Sequence, residues 1–511
     1  MAIRQANKGG GEGLRMKRLT LAALLGVTVA LSSLFTAAAL GSGDGGIGQT
    51  VDQFLGKIGL RNSDTDIPKA GRTASGADLQ KINEVYRLIK ENYLEDVADE
   101  KLIDGAINGM LNALEDPYSV YMDPTSTKEF NDSIHSSFEG IGAEVTLDNG
   151  KVTIVSPFKG SPAEKAGLRP KDQILKVDGN SLEGLDLYQA VLKIRGPKGS
   201  SAKMEVLRPG VKDPLVVEVV RDEIPIETVY SETIERDGMK LGKLEITQFA
   251  TETADHFKQE LEKLEAQKID GLLVDLRGNP GGLLPAVVDM AQLLVPDEGV
   301  ILQVEDPNGN RELIKSSSTK KKPYPITVLI DKGSASASEI LAGALQENGY
   351  TLVGQHSFGK GTVQNTVPLG DDSQLKMTIA KWLTPSGKWI NNDGIEPNVK
   401  VEQPAYFEAA PIHLEENKTL QFDQNGEEVR NLQVIMSGLG FPTGRSDGYF
   451  DEKTATAVKA FQKLNSLPTS GQVDGQTAKA MQEALLNKMK EPENDLQLQA
   501  AIQTITKQVK K

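Results

Sequence analysis

Residues 333–338 read GSASAS, three serines alternating with alanines, and Ile340, Leu341, Ala344 and Leu345 follow at helical spacing. An apolar run, ITVLI at 326–330, precedes them. A serine at such a strand-to-helix junction lies near the free N–H groups of a helix N-terminus, which favour a developing oxyanion. The same serine can also be an ordinary N-cap. A nucleophile needs a base, and the four histidines (His135, His256, His356, His413) are scattered. His356, twenty residues after Ser336, has no obvious acidic partner in the sequence. The glycine-bracketed Lys360 in GKG, with Gln364 four residues on, is the other choice. Lysine acts as a base only when neutral, so its pKa must fall from about 10.4 toward about 7–8 by desolvation. Phe358 and Val363 are placed to form the apolar pocket, and Gln364 can orient the amine without adding charge. A third piece is DLRGNPGGLL at 275–284, whose Gly281 and Gly282 expose backbone N–H groups suited to an oxyanion hole.

These pieces need strands to deliver them. The nearly continuous apolar runs IDGLLVDLRG (269–278) and YPITVLID (324–331) predict strands covered on both faces, each followed by a helix. Residues 223–405 therefore read as an α/β core with its working loops at strand ends. Ahead of it, 136–222 changes to short strands and glycine turns with one helix from Leu185 to about Ile194. GIGA (140–143) and SPAEKAGLRPKDQILKVDG (161–179) make this unit resemble a PDZ domain. That resemblance implies a peptide C-terminus bound by the backbone of Gly140, Ile141, Gly142 and Ala143, with strand addition alongside. Arg195, just beyond the helix, is a candidate contact for the peptide carboxylate or for the protease.

Beyond the core, 423–488 predicts three short helices joined by Gly-Asp turns, with DGYFDEKT and GQVDGQT echoing each other. It resembles the peptidoglycan-binding domain of cell-wall enzymes. Residues 489–511 read as a polar tail, helical or disordered, so a cut near 415 is expected to spare proteolysis. Upstream, 78–130 carries two amphipathic helical sets, up to Asp116-Pro117, expected to form a homodimer as in similar enzymes.

The serine, lysine and glycine pieces, in this order behind a PDZ-like unit, resemble the C-terminal processing, or tail-specific, proteases. The likeness runs from about residue 80 to 402 and takes in LEDPYSVYMDP (114–124) and LTPSGKWINNDGIEPNV (383–399). It implies a Ser-Lys endopeptidase with Ser336 as nucleophile, Lys360 as base and Gln364 in support. The oxyanion donors it implies are the N–H groups of Ala337 and of Gly281 or Gly282. Two other classes compete: a non-catalytic PDZ and cell-wall-binding scaffold, and a wall hydrolase. The intact Ser, Lys and Gln oppose the first. No recognisable carboxylate pair or metal-ligand set supports the second.

The chain of 511 residues is long enough for these several domains, making a multidomain α+β protein. With 57 Lys+Arg against 71 Asp+Glu, a net charge of −14, it is a poor nucleic-acid binder. The absence of cysteine excludes disulfides, thiol catalysis and thiolate metal sites, and no metal or cofactor is expected. The basic segment 1–18 precedes an uncharged run, Leu19 to Leu40. At about 1.5 Å per residue it spans a bilayer core, as a membrane anchor or a signal peptide. Residues 41–77 read as a tether, and everything beyond as extracytoplasmic.

Overall fold

The computed structural model describes residues 76–510, except 136, 149, 159, 186, 318–320, 413 and 415–417. The segment 19–40 and nearly all of the tether lie outside the described residues. No helix among the described residues is long and apolar enough to cross a membrane.

Helices α1 (Gly76–Asn92) and α2 (Asp99–Asn112) come first. They leave Leu79, Ile82, Val85, Leu88, Ile103 and Met110 exposed. Strand β1 (Val120–Met122) and helix α3 (Pro124–Ile134) follow. Pro124 sits at the start of α3, and the Asp123 carboxylate caps it by accepting from the Ser126 N–H.

The next unit contains β2 (Ser137–Gly140), β3 (Ala143–Asp148), β4 (Lys151–Pro157), α4 (Pro162–Lys165), β5 (Gln173–Val177), β6 (Asn180–Ser181), α5 (Leu187–Ile194), β7 (Ser201–Leu207), β8 (Leu215–Val220) and β9 (Asp222–Pro225). Its sheet runs β3-β4-β5-β7-β8, which leaves β3 as an edge strand. Ile154, Ile174, Leu182, Met204 and Val206 fill its separate core.

The largest unit is built on β10 (Val229–Arg236), β11 (Met239–Ile246), α6 (Thr253–Ala266), β12 (Gly271–Asp275), α7 (Leu284–Leu294), β13 (Val300–Glu305), β14 (Arg311–Lys315), β15 (Ile326–Ile330), α8 (Ala337–Glu347), β16 (Thr351–Gly354), β17 (Thr362–Pro368), β18 (Gln374–Leu383) and β19 (Val399–Lys400). Its main sheet has the order β10-β11-β12-β15-β16-β19, parallel from β11 onward. A second sheet joins β1, β18, β13 and β14, with β17 also paired to β18. Because side chains alternate along a strand, Leu272, Val274, Val328 and Ile330 face one side of the main sheet. There they pack with residues of α6, α7 and α8.

Leu241, Leu273, Leu329 and Val353 belong to a different cluster, completed by Leu498, Ala501, Ile502 and Ile505. These four come from α12 (Leu496–Val509), which follows a bundle of α9 (Glu427–Gly438), α10 (Glu452–Leu464) and α11 (Gly475–Lys490). The expectation of a polar tail at 489–511 is therefore corrected. Gln503 and Lys507 are exposed on one side, while the apolar residues at 498, 501, 502 and 505 recur at helical spacing and cover the open face of the sheet. Ile505 packs so closely on Gly271 that a Cβ there would lie 2.7 Å from its tip. The three-helix bundle has its own core around Leu432, Phe450, Phe461 and Met481.

Candidate active site

Three loops leave the carboxyl ends of neighbouring parallel strands: 276–283 after β12, 331–336 after β15 and 355–361 after β16. Open α/β sheets place their sites at such ends.

The three serines of the second loop are sorted by their hydroxyls. Ser334 Oγ donates to the Leu276 carbonyl at 2.8 Å, and Ser338 Oγ donates to the Asn279 carbonyl at 2.9 Å. Ser336 Oγ is buried and makes no hydrogen bond. Ser336 stands at the N-cap position of α8, yet its hydroxyl does not serve as a cap. Its backbone has φ 56° and ψ −113°, a conformation that costs about 1–3 kcal/mol in a non-glycine residue. The surroundings hold it there. The Ala335 N–H donates to the Asn279 carbonyl at 3.0 Å, and the Ser336 N–H donates to Glu339 Oε2 at 2.8 Å. Gly281 is needed at this place, since a Cβ would lie 2.8 Å from both the Ser336 Cβ and the Ala335 carbonyl oxygen.

Glu339 joins the Ser336 loop to the Lys360 loop. Besides Ser336, its carboxylate accepts from Ser357 Oγ at 2.6 Å, the Gly359 N–H at 2.7 Å and the Lys360 N–H at 2.8 Å. Burial raises its pKa, and these four bonds oppose the rise. Glu339 was not among the expected site residues, although Ser-x-x-Glu at a helix start is a capping-box pattern.

Lys360 is 1 % exposed, and its Nζ makes no hydrogen bond among the described residues. Burial drives its ammonium well below the usual lysine range, and the Lys376 cation adds to this. Its Nζ faces the half-buried Tyr118 ring at 4.7 Å from the centroid. Val363 is buried as expected, but Phe358 is 44 % exposed and does not wall the pocket. Tyr118 takes that place, brought in by the pairing of β1 with β18. Gln364 is buried, and its Nε2 donates to Thr362 Oγ1 at 2.9 Å and Thr378 Oγ1 at 3.0 Å. Its Oε1 has no partner. The exposed His356 sits with Nδ1 3.1 Å from the Ser357 carbonyl.

Of the two glycines, Gly281 has its N–H committed to Asn279 Oδ1 at 2.8 Å. The N–H groups of Gly282 and Ala337 donate no hydrogen bond among the described residues. Both reactive side chains are shut away from solvent, so the site is closed in this conformation.

In the PDZ-like unit, the N–H groups of Ile141 and Gly142 donate no hydrogen bond among the described residues, and Ala143 opens the edge strand β3. Arg195 packs beside this loop: a Cβ on Gly140 would lie 3.7 Å from its Cγ. Its guanidinium lies 4.6 Å from the Phe138 ring centre and 3.7 Å from Asp132 Oδ2 on α3.

The family description Peptidase family S41 matches residues 240–401, and PDZ domain matches 133–207. The N-terminal domain of the activating protease CtpB matches 50–126, and a peptidoglycan binding domain matches 425–481. The chain is 48% identical over 442 residues to the carboxy-terminal processing protease CtpB of Bacillus subtilis, covering 86% of this chain and 92% of that protein. It is 41% identical over 441 residues to CtpA of the same organism, covering 86% and 93%. Among solved structures, a photosystem II D1 C-terminal processing protease aligns over 65% of this chain and 94% of its own, at 28% identity and a TM-score of 0.39.

Proposed function

The chain belongs to the carboxy-terminal processing serine proteases of peptidase family S41, and we propose that it cuts peptide bonds with a dyad of Ser336 and Lys360 supported by Gln364. One observation carries this reading. Of the seven buried side-chain atoms left without a hydrogen-bond partner among the described residues, three are Ser336 Oγ, Lys360 Nζ and Gln364 Oε1. A buried polar group without a partner costs about 1–3 kcal/mol, so these three mark groups reserved for substrate and for each other.

The neutral Lys360 amine takes the proton of Ser336 as Oγ attacks the carbonyl carbon. The oxyanion so formed is met by the N–H groups of Ala337 and Gly282, which are uncommitted. Lys360 then passes its proton to the departing amine, leaving an acyl-enzyme. Water attacks the ester, giving up a proton to Lys360, which returns it to Ser336 Oγ as the acyl bond breaks and the cut fragment leaves with its new carboxylate. On activation Gln364 Oε1, free at rest, accepts from the Lys360 amine and orients it. The two reactive atoms are not bonded to each other at rest, so closing this gap belongs to activation.

Substrates enter by their C-termini: the loop 140–143 takes the carboxylate, β3 pairs with the peptide and Arg195 reports occupancy. The exposed apolar faces of α1 and α2 support a homodimer. The basic flank and apolar run at 1–40 support a membrane anchor with the catalytic domains extracytoplasmic, where the peptidoglycan-binding domain reaches the wall. The test is casein turnover by Ser336→Ala, Lys360→Met and His356→Ala. Loss in the first two and retention in the third is expected. Activity in Lys360→Met with loss in His356→Ala overturns the dyad.

A further inference from the structure

The segment Asn279-Pro280-Gly281-Gly282 runs against the start of α8. A Cβ on Gly281 would lie 2.8 Å from the Ser336 Cβ and 3.0 Å from the Ala337 nitrogen. Proline has no N–H, so beyond Asn279 this turn can offer an oxyanion only the N–H groups at 281–283. Two of these are taken. Gly281 donates to Asn279 Oδ1 at 2.8 Å, and Leu283 donates to the Phe249 carbonyl at 2.6 Å. The one between them, on Gly282, donates no hydrogen bond among the described residues.

Asn279 is fully buried and commits both ends of its side chain and both backbone groups. Besides taking the Gly281 N–H, the side chain donates from Nδ2 to the Ile246 carbonyl, at the end of β11, at 2.7 Å. Its own N–H donates to the Leu276 carbonyl at 3.3 Å. Its carbonyl accepts from the Ala335 N–H at 3.0 Å and from Ser338 Oγ at 2.9 Å, residues that flank the Ser336-Ala337 pair. An oxyanion hole drawn from two loops works only when both N–H groups point at one oxygen, about 2.7–3.1 Å from each. The carbonyl at 279 fixes the loop that carries Ala337, and any residue type supplies it. The side chain fixes the loop that carries Gly282, and this needs an oxygen that can take the N–H two residues on. Glycine restrains its own backbone little, and Gly281 and Gly282 have φ 106° and 150°. With the Gly281 N–H unclaimed, its peptide plane would turn freely and compete for the substrate oxygen. We propose that Asn279 is a positioning residue for the oxyanion hole, whose side chain takes up the Gly281 N–H and so leaves that of Gly282, together with that of Ala337, to meet the carbonyl oxygen under attack. This rests on the Ser336–Lys360 reading above.

The experiment compares the full chain with Asn279→Thr and Asn279→Val, two substitutions of one shape that differ by a hydroxyl. The threonine oxygen can accept the N–H two residues on, and the valine methyl cannot. Each is assayed for kcat and KM on a peptide oxyester and on the matching thionoester, with Tm recorded. Sulfur accepts hydrogen bonds weakly, so the thionoester gains little from the hole. For Asn279→Val, kcat on the oxyester is expected to fall about 10²-fold with KM little changed, while the thionoester rate falls far less. Asn279→Thr is expected to regain most of the lost oxyester rate. General loosening of the loop slows both substrates alike and does not distinguish the two variants. Equal loss in both variants, or an equal fall on both substrates, therefore overturns the proposal. So does an undiminished oxyester rate in Asn279→Val, which makes the freed Gly281 N–H as good a donor as that of Gly282. Asn279→Ala gives the reading if the valine variant does not fold. Ser336→Ala is the control. If it is dead and the threonine and valine variants behave alike, only this inference fails; if it is active, the dyad fails.

Discussion

The Lys360 Nζ stands 4.7 Å from the centre of the Tyr118 ring and has no hydrogen-bond partner of its own. An aromatic face excludes water while offering only a weak acceptor, so it helps keep the amine dry. Tyr118→Ala opens this side to solvent, and the acid limb of the rate profile moves to higher pH. Tyr118→Phe keeps the ring and the wild-type limb. An unmoved limb in the alanine variant removes the ring from the account.

A dry, neutral lysine is a burden on the fold. The unfolded chain keeps the Lys360 proton up to about pH 10.4, whereas the folded chain gives it up far lower. Between those two values the unfolded state binds more protons, so stability rises with pH across that window. Lys360→Met therefore melts above wild type at pH 7, by about 2–4 °C for each kcal/mol gained. The gap narrows toward pH 10. Thermal scans at the two pH values measure it, and a gap that does not change with pH contradicts the buried neutral amine.

Glu339→Ala leaves the N–H groups of Ser336, Gly359 and Lys360 buried without their acceptor. At about 1–3 kcal/mol each, the loss is expected to exceed about 3 kcal/mol and to release the Ser336 turn. Denaturant unfolding measures the stability, and a serine-directed acylating reagent measures the nucleophile. Glu339→Gln keeps the volume but turns an NH2 toward donors, so acylation falls there too. Wild-type acylation in both variants would show that the turn holds without the carboxylate.

Cutting the chain near 415 removes α12 and uncovers Leu241, Leu273, Leu329 and Val353. Such a chain is expected to lose casein turnover through unfolding of the core. Ile505→Ala, at a fully buried position, is expected to cost about 2–5 kcal/mol in the full chain. Circular dichroism melts of both report the result. A truncated chain with wild-type Tm and turnover sinks this role for α12.

Arg195 lies 3.7 Å from Asp132 on α3, and Phe130 of the same helix packs against the core of the largest unit. Arg195→Ala is expected to abolish stimulation of casein turnover by an added C-terminal peptide, while acylation of Ser336 by a small reagent continues. Phe130→Leu is expected to reduce the same stimulation without weakening peptide binding. Equal stimulation in wild type and both variants argues against a route through α3.

Much of the site was readable because its chemistry is local. Ser336, Lys360 and the paired glycines each stand in a short loop directly after a strand, Gln364 follows in β17, and parallel strands gather such loops at one end. What escaped reading depends on distant pairing. Tyr118 reaches Lys360 only because β1 pairs with β18. Phe358, two residues before Lys360, points outward, since near neighbours in the chain do not share a direction. Gly281 looked equivalent to Gly282 until the Asn279 side chain claimed its N–H. Helix α12 was hidden by its glutamines. Yet the strand runs called for cover on two faces, and only one set of covering helices had been assigned.

The order of synthesis gives α12 a second meaning. Ser336, Lys360 and Gln364 have all left the ribosome long before residue 496 is made. A nascent chain at that stage holds every reactive group but has one face of its central sheet bare, with Arg277 lacking its Asp495 partner at 2.9 Å. Arg277 lies in the loop that carries the two glycines. The open face of the main sheet is thus covered only after the three-helix bundle has been translated. Chains broken off before residue 496 carry all three loops on a sheet with one face bare.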